Sequence, residues 1–181
     1  PRIPSDFGAG IVVVQHLPES FTAIMAKWLD EICQIEVREA KQGDQILPGR
    51  ALIAPGNMHL RVKNGRDGGS VILEQTTPVG GHMPSVDVFF RSVAQEYGSG
   101  ATAVIMTGMG SDGADAIGEI KRAGGLTLAQ DRDSCAIFGM PKAAIERGHV
   151  DRVVSLSELA NYLISVVGRL RQEVLDGARV Q

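Results

Sequence analysis

Cysteine is scarce in this chain of 181 residues: Cys33 and Cys135 lie 102 positions apart, with no C-x-x-C pair and no histidine spaced to share a metal with them. The pattern reads as two free thiols in a reducing cytosol rather than as a disulfide framework. Charge of one sign is missing too. Eighteen basic and 21 acidic residues leave a formal charge of -3, and no run of Lys or Arg offers a face to nucleic acid or to an anionic membrane. Long apolar runs are absent: none approaches the ~20 residues that would cross a bilayer, and the first residues do not resemble a secretory leader. These absences point to a cytoplasmic protein with no membrane insertion and no nucleic-acid partner.

What remains suits a single globular domain. The chain is 44% hydrophobic, and a domain of this length buries roughly 70% of its unfolded surface. Short Val-rich runs alternate with helix-like stretches. "GAGIVVVQHLP" reads as a buried strand closed by Pro18. Ser20 is placed to cap a helix whose Phe21, Ile24, Trp28, Leu29 and Ile32 share one face, expected to point inward. "RALIAPGNMHLRV" and "GGSVILEQ", split by "KNGRDGG", suggest a hairpin. Pro84 and Ser85 open a helix with Val86, Phe89, Phe90, Val93 and Tyr97 inward. "ATAVIM" is a second buried strand, followed by a helix over 112–123 that the pair Gly124–Gly125 ends. "LTLAQD" and "RVVSL" are further strands flanking a short helix after Pro141. Leu156, Leu159, Leu163, Val166 and Leu170 mark a final amphipathic helix, too short for a coiled-coil seam. The expectation is an α/β fold over 1–181: a doubly wound, mostly parallel sheet with helices on both faces and one antiparallel hairpin.

In such sheets ligands bind beyond the carboxyl ends of the strands, and two polar groups stand there: His16 and Asp112. Alone, His16 reads as a capping or core histidine and Asp112 as a helix N-cap. The turn "TGMGSDG" also spells G-x-G-x-x-G through Gly108, Gly110 and Gly113, with Asp131 where a ribose ligand would sit. That dinucleotide reading has a physical obstacle, because Asp112 and Asp115 place negative charge where a pyrophosphate needs bare N–H groups. The glycines have another use: a tight turn can aim an N–H at a substrate oxygen. A His and an Asp at neighbouring strand ends are two-thirds of a hydrolytic triad. G-x-S-x-G is absent, Ser20, Ser85 and Ser134 lack an elbow of small residues, and Ser111 adjoins Asp112 on a turn where neighbours point in different directions.

Five blocks in order carry a resemblance: "VVVQHLPESFT", "EAKQGDQILPGRALIAPGNMHL", "HMPSVDVFFRSVA", "TGMGSDGADAI" and "AQDRDSCAIFGMPKAAIERG". Over about residues 7 to 160 the chain resembles the catalytic domain of the chemotaxis receptor methylesterases (CheB). The resemblance implies hydrolysis of glutamyl methyl esters, and deamidation of certain glutamines, on the cytoplasmic helices of chemoreceptors by a Ser-His-Asp triad. It implies His16 as general base, Asp112 as the group orienting it, and the Met109 backbone N–H as oxyanion donor. The family's serine lies in a "G-A-S-T-G-G" turn that would precede Pro1, and a receiver domain is usual farther upstream. Where many relatives carry Arg, this chain has Met83. Gln15, His59 and His82 are candidate cleft-lining residues, whereas His149 reads as a surface residue. No metal or organic cofactor is expected, since His16, His59 and His82 lack the closely spaced pair a zinc site needs. The alternatives are a receptor-docking fragment without a nucleophile and, more remotely, the dinucleotide module.

Overall fold

Alternating apolar runs and helix signals resolve into nine strands and five α-helices in a computed structural model that describes residues 2–65 and 68–178. The order is β1 (Ile11–Val13), α1 (Glu19–Ile32), β2 (Glu36–Glu39), β3 (Gln45–Ile46), β4 (Arg50–Ile53), β5 (His59–Lys63), β6 (Gly69–Glu74) and α2 (Val86–Tyr97). A 3-10 turn at Gly98–Gly100 leads into β7 (Thr102–Ile105), α3 (Ala116–Arg122), β8 (Leu126–Gln130), α4 (Met140–Glu146), β9 (Arg152–Val154) and α5 (Leu156–Ala178).

The fold is α/β, and parallel pairing dominates its core. The parallel strands form two three-stranded sheets, β1-β4-β2 and β7-β8-β9, where the sequence suggested one. The hairpin is present as β5-β6, in register from His59 opposite Glu74 to Lys63 opposite Ser70, and β3 adds a third antiparallel strand. Arg66 and Asp67, within the turn the sequence marked, lie outside the described residues. Strands β2 and β3 were not foreseen. "EVRE" has one buried apolar residue, Val37, and pairs in parallel with β4 at the sheet's edge.

Side chains alternate across β1 and place helices on both faces. Ile11 and Val13 pack with Ala26, Met25 and Leu29 of α1 and with Leu163, Ile164 and Val167 of α5. Val12 and Val14 face the other way, into a core with Val86, Phe89 and Phe90 of α2 and Ile117 and Ile120 of α3. On α5, Leu159 and Val166 are buried, while Leu156 at its start and Leu170 farther along are exposed.

Helix α1 departs from the expectation. Its buried residues are the small Thr22 and Ala26, while Phe21, Ile24 and Trp28 are 57%, 66% and 57% exposed, and Ile32 is exposed as well. Met25 and Leu29 pack beside Thr22 and Ala26, so these four make the face toward the sheet, and Phe21, Ile24, Trp28 and Ile32 lie on the exposed side. It starts at Glu19 after Pro18, with no side-chain cap, so Ser20 does not serve as one. No helix among the described residues is long and apolar enough to cross a membrane.

Candidate active site

Two strand-to-helix turns build the site. His16 lies three residues beyond β1, before α1 begins. Asp112 lies seven beyond β7, in the glycine turn, and α3 starts only at Ala116 rather than at 112. The structure brings the two side chains together: His16 Nε2 is 2.7 Å from Asp112 Oδ2. Asp112 is 8% exposed and His16 half-buried. A carboxylate at Nε2 selects the tautomer with hydrogen on that nitrogen, which leaves Nδ1 holding the lone pair.

Asp112 does cap a helix, but not its own. Its carboxylate sits on the N-terminus of α2, accepting from Val86 N–H (2.7 Å), Asp87 N–H (3.0 Å) and Ser85 Oγ–H (2.9 Å). Burial alone would raise its pKa. The hydrogen bonds from His16, Val86, Asp87 and Ser85 outweigh that and hold it at about 2. The exchange is mutual. Asp87, in the first turn of α2, accepts from Gly113 N–H and Ala116 N–H (both 3.1 Å), so each helix start is closed by the other's aspartate. Burial pushes the Asp87 carboxyl up, as does the nearby Asp112 charge, against the bond from Ala116.

The glycines make this clasp possible. Gly113 has φ +84°, and a Cβ there would lie 2.4 Å from Val86 Cγ1. A Cβ on Gly108 would lie 2.4 Å from Met140 Sδ. The carbonyl of Gly108 accepts from Gly139 and Met140, and its N–H donates to Ile137. Met109 is then 75% exposed, and its N–H has no acceptor among the described residues. Asp131, the ribose ligand of the nucleotide reading, is instead engaged in its own loop by Ser134 N–H and the Ser134 hydroxyl.

The remaining histidines fall in different places. His82 stacks on His16, with ring centroids 4.1 Å apart and planes 12° from parallel. His59 is buried, 2% exposed, behind Ser85, at the floor of a depression of about 260 Å³ lined also by Arg61, Glu74, Val79 and Arg91. Gln15 is exposed beside His16. His149 is no free surface residue: it is half-buried, its ring packs on Gly118, and its Nδ1 donates to Ala114 O (2.8 Å). Sequence reasoning missed Ser85 and Asp87 as parts of the site. Both were legible as helix-start residues, but nothing local shows that their partner is 25 or more positions away.

The chain is similar to known proteins over most of its length. Residues 1–163 match the family model described as CheB methylesterase. The protein-glutamate methylesterase/protein-glutamine glutaminase 2 of Koribacter versatilis is 57% identical over 163 residues, which are 90% of this chain and 45% of that protein. An enzyme of the same name, numbered 1, from Anaeromyxobacter dehalogenans is 51% identical over 164 residues, 90% of this chain and 46% of its own. The chain therefore spans less than half the length of these curated relatives. The crystal structure of the Thermotoga maritima CheB methylesterase catalytic domain superposes with a TM-score of 0.88 at 38% identity, covering 91% of this chain and 87% of that one.

Proposed function

Because the chain belongs to the CheB methylesterase family, we propose that it is the catalytic portion of a protein-glutamate methylesterase and glutamine amidase that acts on chemoreceptor helices in chemotaxis adaptation. The observation that carries this reading is the 2.7 Å contact between His16 Nε2 and an Asp112 kept ionised on the N-terminus of α2.

The nucleophile is a serine preceding Pro1 in the whole protein. Strands β1 and β7 each end a parallel sheet, and the segments beyond their carboxyl ends carry His16 and Asp112. A parallel strand laid between those edges would deliver its own following turn to the same spot. The serine oxygen attacks the ester carbonyl while His16 Nδ1 takes its proton. Asp112 stays ionised and stabilises the imidazolium across Nε2. The N–H of Met109 donates to the developing oxyanion. The tetrahedral adduct collapses, and His16 Nδ1 returns the proton to the departing methoxide, releasing methanol. Water then attacks the glutamyl-serine ester, giving up a proton to His16, and glutamate leaves as the serine is re-formed. With a glutamine substrate the first leaving group is ammonia. No step calls for a metal or an organic cofactor.

Exposed Met106, Met109 and Ile137 on adjoining turns give the site an apolar rim suited to a protein helix rather than a small polar ester. In the longer protein a receiver domain upstream would govern access. The test is release of methanol from methylated receptor by the full-length protein and by its His16→Ala variant. The reading expects a serine-directed fluorophosphonate to label the wild type and not the variant. Equal labelling and equal turnover in both would overturn it.

A further inference from the structure

Two neighbours hold His16 in place, Asp112 at its edge and His82 on its face, and both trace back to one buried ring. His59 Nδ1 accepts from Ser85 N–H (3.2 Å), and its Nε2–H donates to the Thr77 carbonyl (3.1 Å). This pattern requires a neutral ring, because a hydrogen on Nδ1 would face the Ser85 N–H donor to donor.

From Ser85 the chain of contacts runs to the site. Ser85 is fully buried, caps α2 by accepting from Val88 N–H, and gives its hydroxyl hydrogen to Asp112 Oδ1. Its main-chain nitrogen is the atom His59 fixes. The other tether, at Thr77, begins the segment that carries His82. Between the two tethers the chain folds back on itself, Val79 and His82 exchanging two backbone hydrogen bonds of 3.0 Å across Gly80 and Gly81. Asn57 N–H adds a bond to the Met83 carbonyl (3.3 Å). One imidazole thus brackets residues 77–85 at both ends.

Resting on the methylesterase reading, we infer that His59 is the positioning residue for the general base: through Ser85 it sets Asp112, and through the 77–85 segment it sets the His82 stack. His59 is not catalytic. Burial behind Ser85 keeps it from substrate. The candidate cleft-lining histidine of the sequence is in this account the support of the cleft's base.

His59→Phe tests this, since it keeps an aromatic ring and loses both tethers. In the 181-residue chain, imidazole nitrogen NMR reads the His16 tautomer without any turnover. The wild type should show hydrogen on Nε2 alone. The folded variant should show His16 spread over both tautomers. In the full-length enzyme kcat should fall about 10- to 100-fold with KM changed less than about twofold, as a misplaced but intact base predicts. His59→Gln, whose amide can accept and donate in turn, should recover part of that loss. A folded His59→Phe with the wild-type His16 tautomer and wild-type kcat overturns the inference. If His59→Phe does not fold, Ser85→Ala carries the test: it removes the hydroxyl from Asp112 and from Val88 N–H and keeps the main-chain tether to His59, and an unchanged His16 Nε2–H signal would overturn the inference. Failure of the wild type to release methanol would sink the methylesterase reading instead and leave the tautomer result standing.

Discussion

The turn after β1 and the turn after β7 each present one member of the His–Asp pair, and they hold it by different means. The β7 turn has three glycines and ties itself down through main-chain bonds to Ile137, Gly139 and Met140. Its aspartate is seized by three donors of α2 besides the histidine. The β1 turn is short and has no glycine. Among the described residues its histidine has one side-chain hydrogen bond, to Asp112, and one stacking partner. The acid is thus fixed by backbone and the base by the acid. The proposed general base, which would accept and return a proton, is held at one nitrogen and left open at the other among the described residues. Asp112, proposed to orient it, would have no such need and is locked.

Asp112→Asn breaks this asymmetry most deeply. An amide keeps one acceptor on the N-terminus of α2 but gives up the buried charge, so the fold should persist while stability at neutral pH falls by about 2 kcal/mol. The tautomer preference of His16 is lost, and turnover should fall by up to about 10⁴-fold, or about 5 kcal/mol of activation energy. Turnover within tenfold of the wild type would show that the locked carboxylate does not orient the base.

Gly113→Ala attacks the lock rather than its key. The left-handed φ and the clash with Val86 predict a loss of about 2 kcal/mol or more in urea-induced unfolding. A neutral result would mean that α2 can move aside, and that the clasp is looser than its geometry suggests.

Acid sharpens the same contrast. Asp112 titrates near 2 in the fold against 3.8 for a free carboxyl, so its contribution is present above the free value and fades as pH falls through 2. The shift corresponds to about 2 kcal/mol. It should appear as falling stability between about pH 4 and pH 2 that is missing in Asp112→Asn. A variant that loses stability in step with the wild type over that window would assign the acid limb to other carboxylates.

The smallest effect belongs to α1, where Trp28→Gln should change the unfolding free energy by no more than about 0.5 kcal/mol. A larger loss would place Trp28 in the core that the β1 turn leans on.

Much of this was legible in the sequence. Strand ends announced His16 and Asp112, Ser85 announced the start of α2, and the hairpin and the α/β class followed from alternation and turn residues. What stayed hidden shares a physical cause. Strand β2 is polar on most of its length because it borders the sheet, so no apolar run betrays it. Helix α1 sets Thr22, Met25, Ala26 and Leu29 against the sheet and leaves Phe21, Ile24 and Trp28 exposed, so its apolar residues mark two faces and periodicity alone does not choose between them. Asp112 looked like a cap for the helix that follows it, and only tertiary packing hands it to α2 instead. The paired role of Asp87 is invisible for the same reason.

The mutual closure of α2 and α3 has a consequence for motion. A helix start usually frays by itself, losing its first turn to water while the rest of the fold stands. Here the first turn of α2 cannot release its amides without uncovering Asp112, and α3 cannot release its own without uncovering Asp87. The amides of Val86, Asp87, Gly113 and Ala116 should therefore exchange with deuterium as one slow group, opening together or not at all, so that whatever loosens one helix dismantles the site from both sides at once.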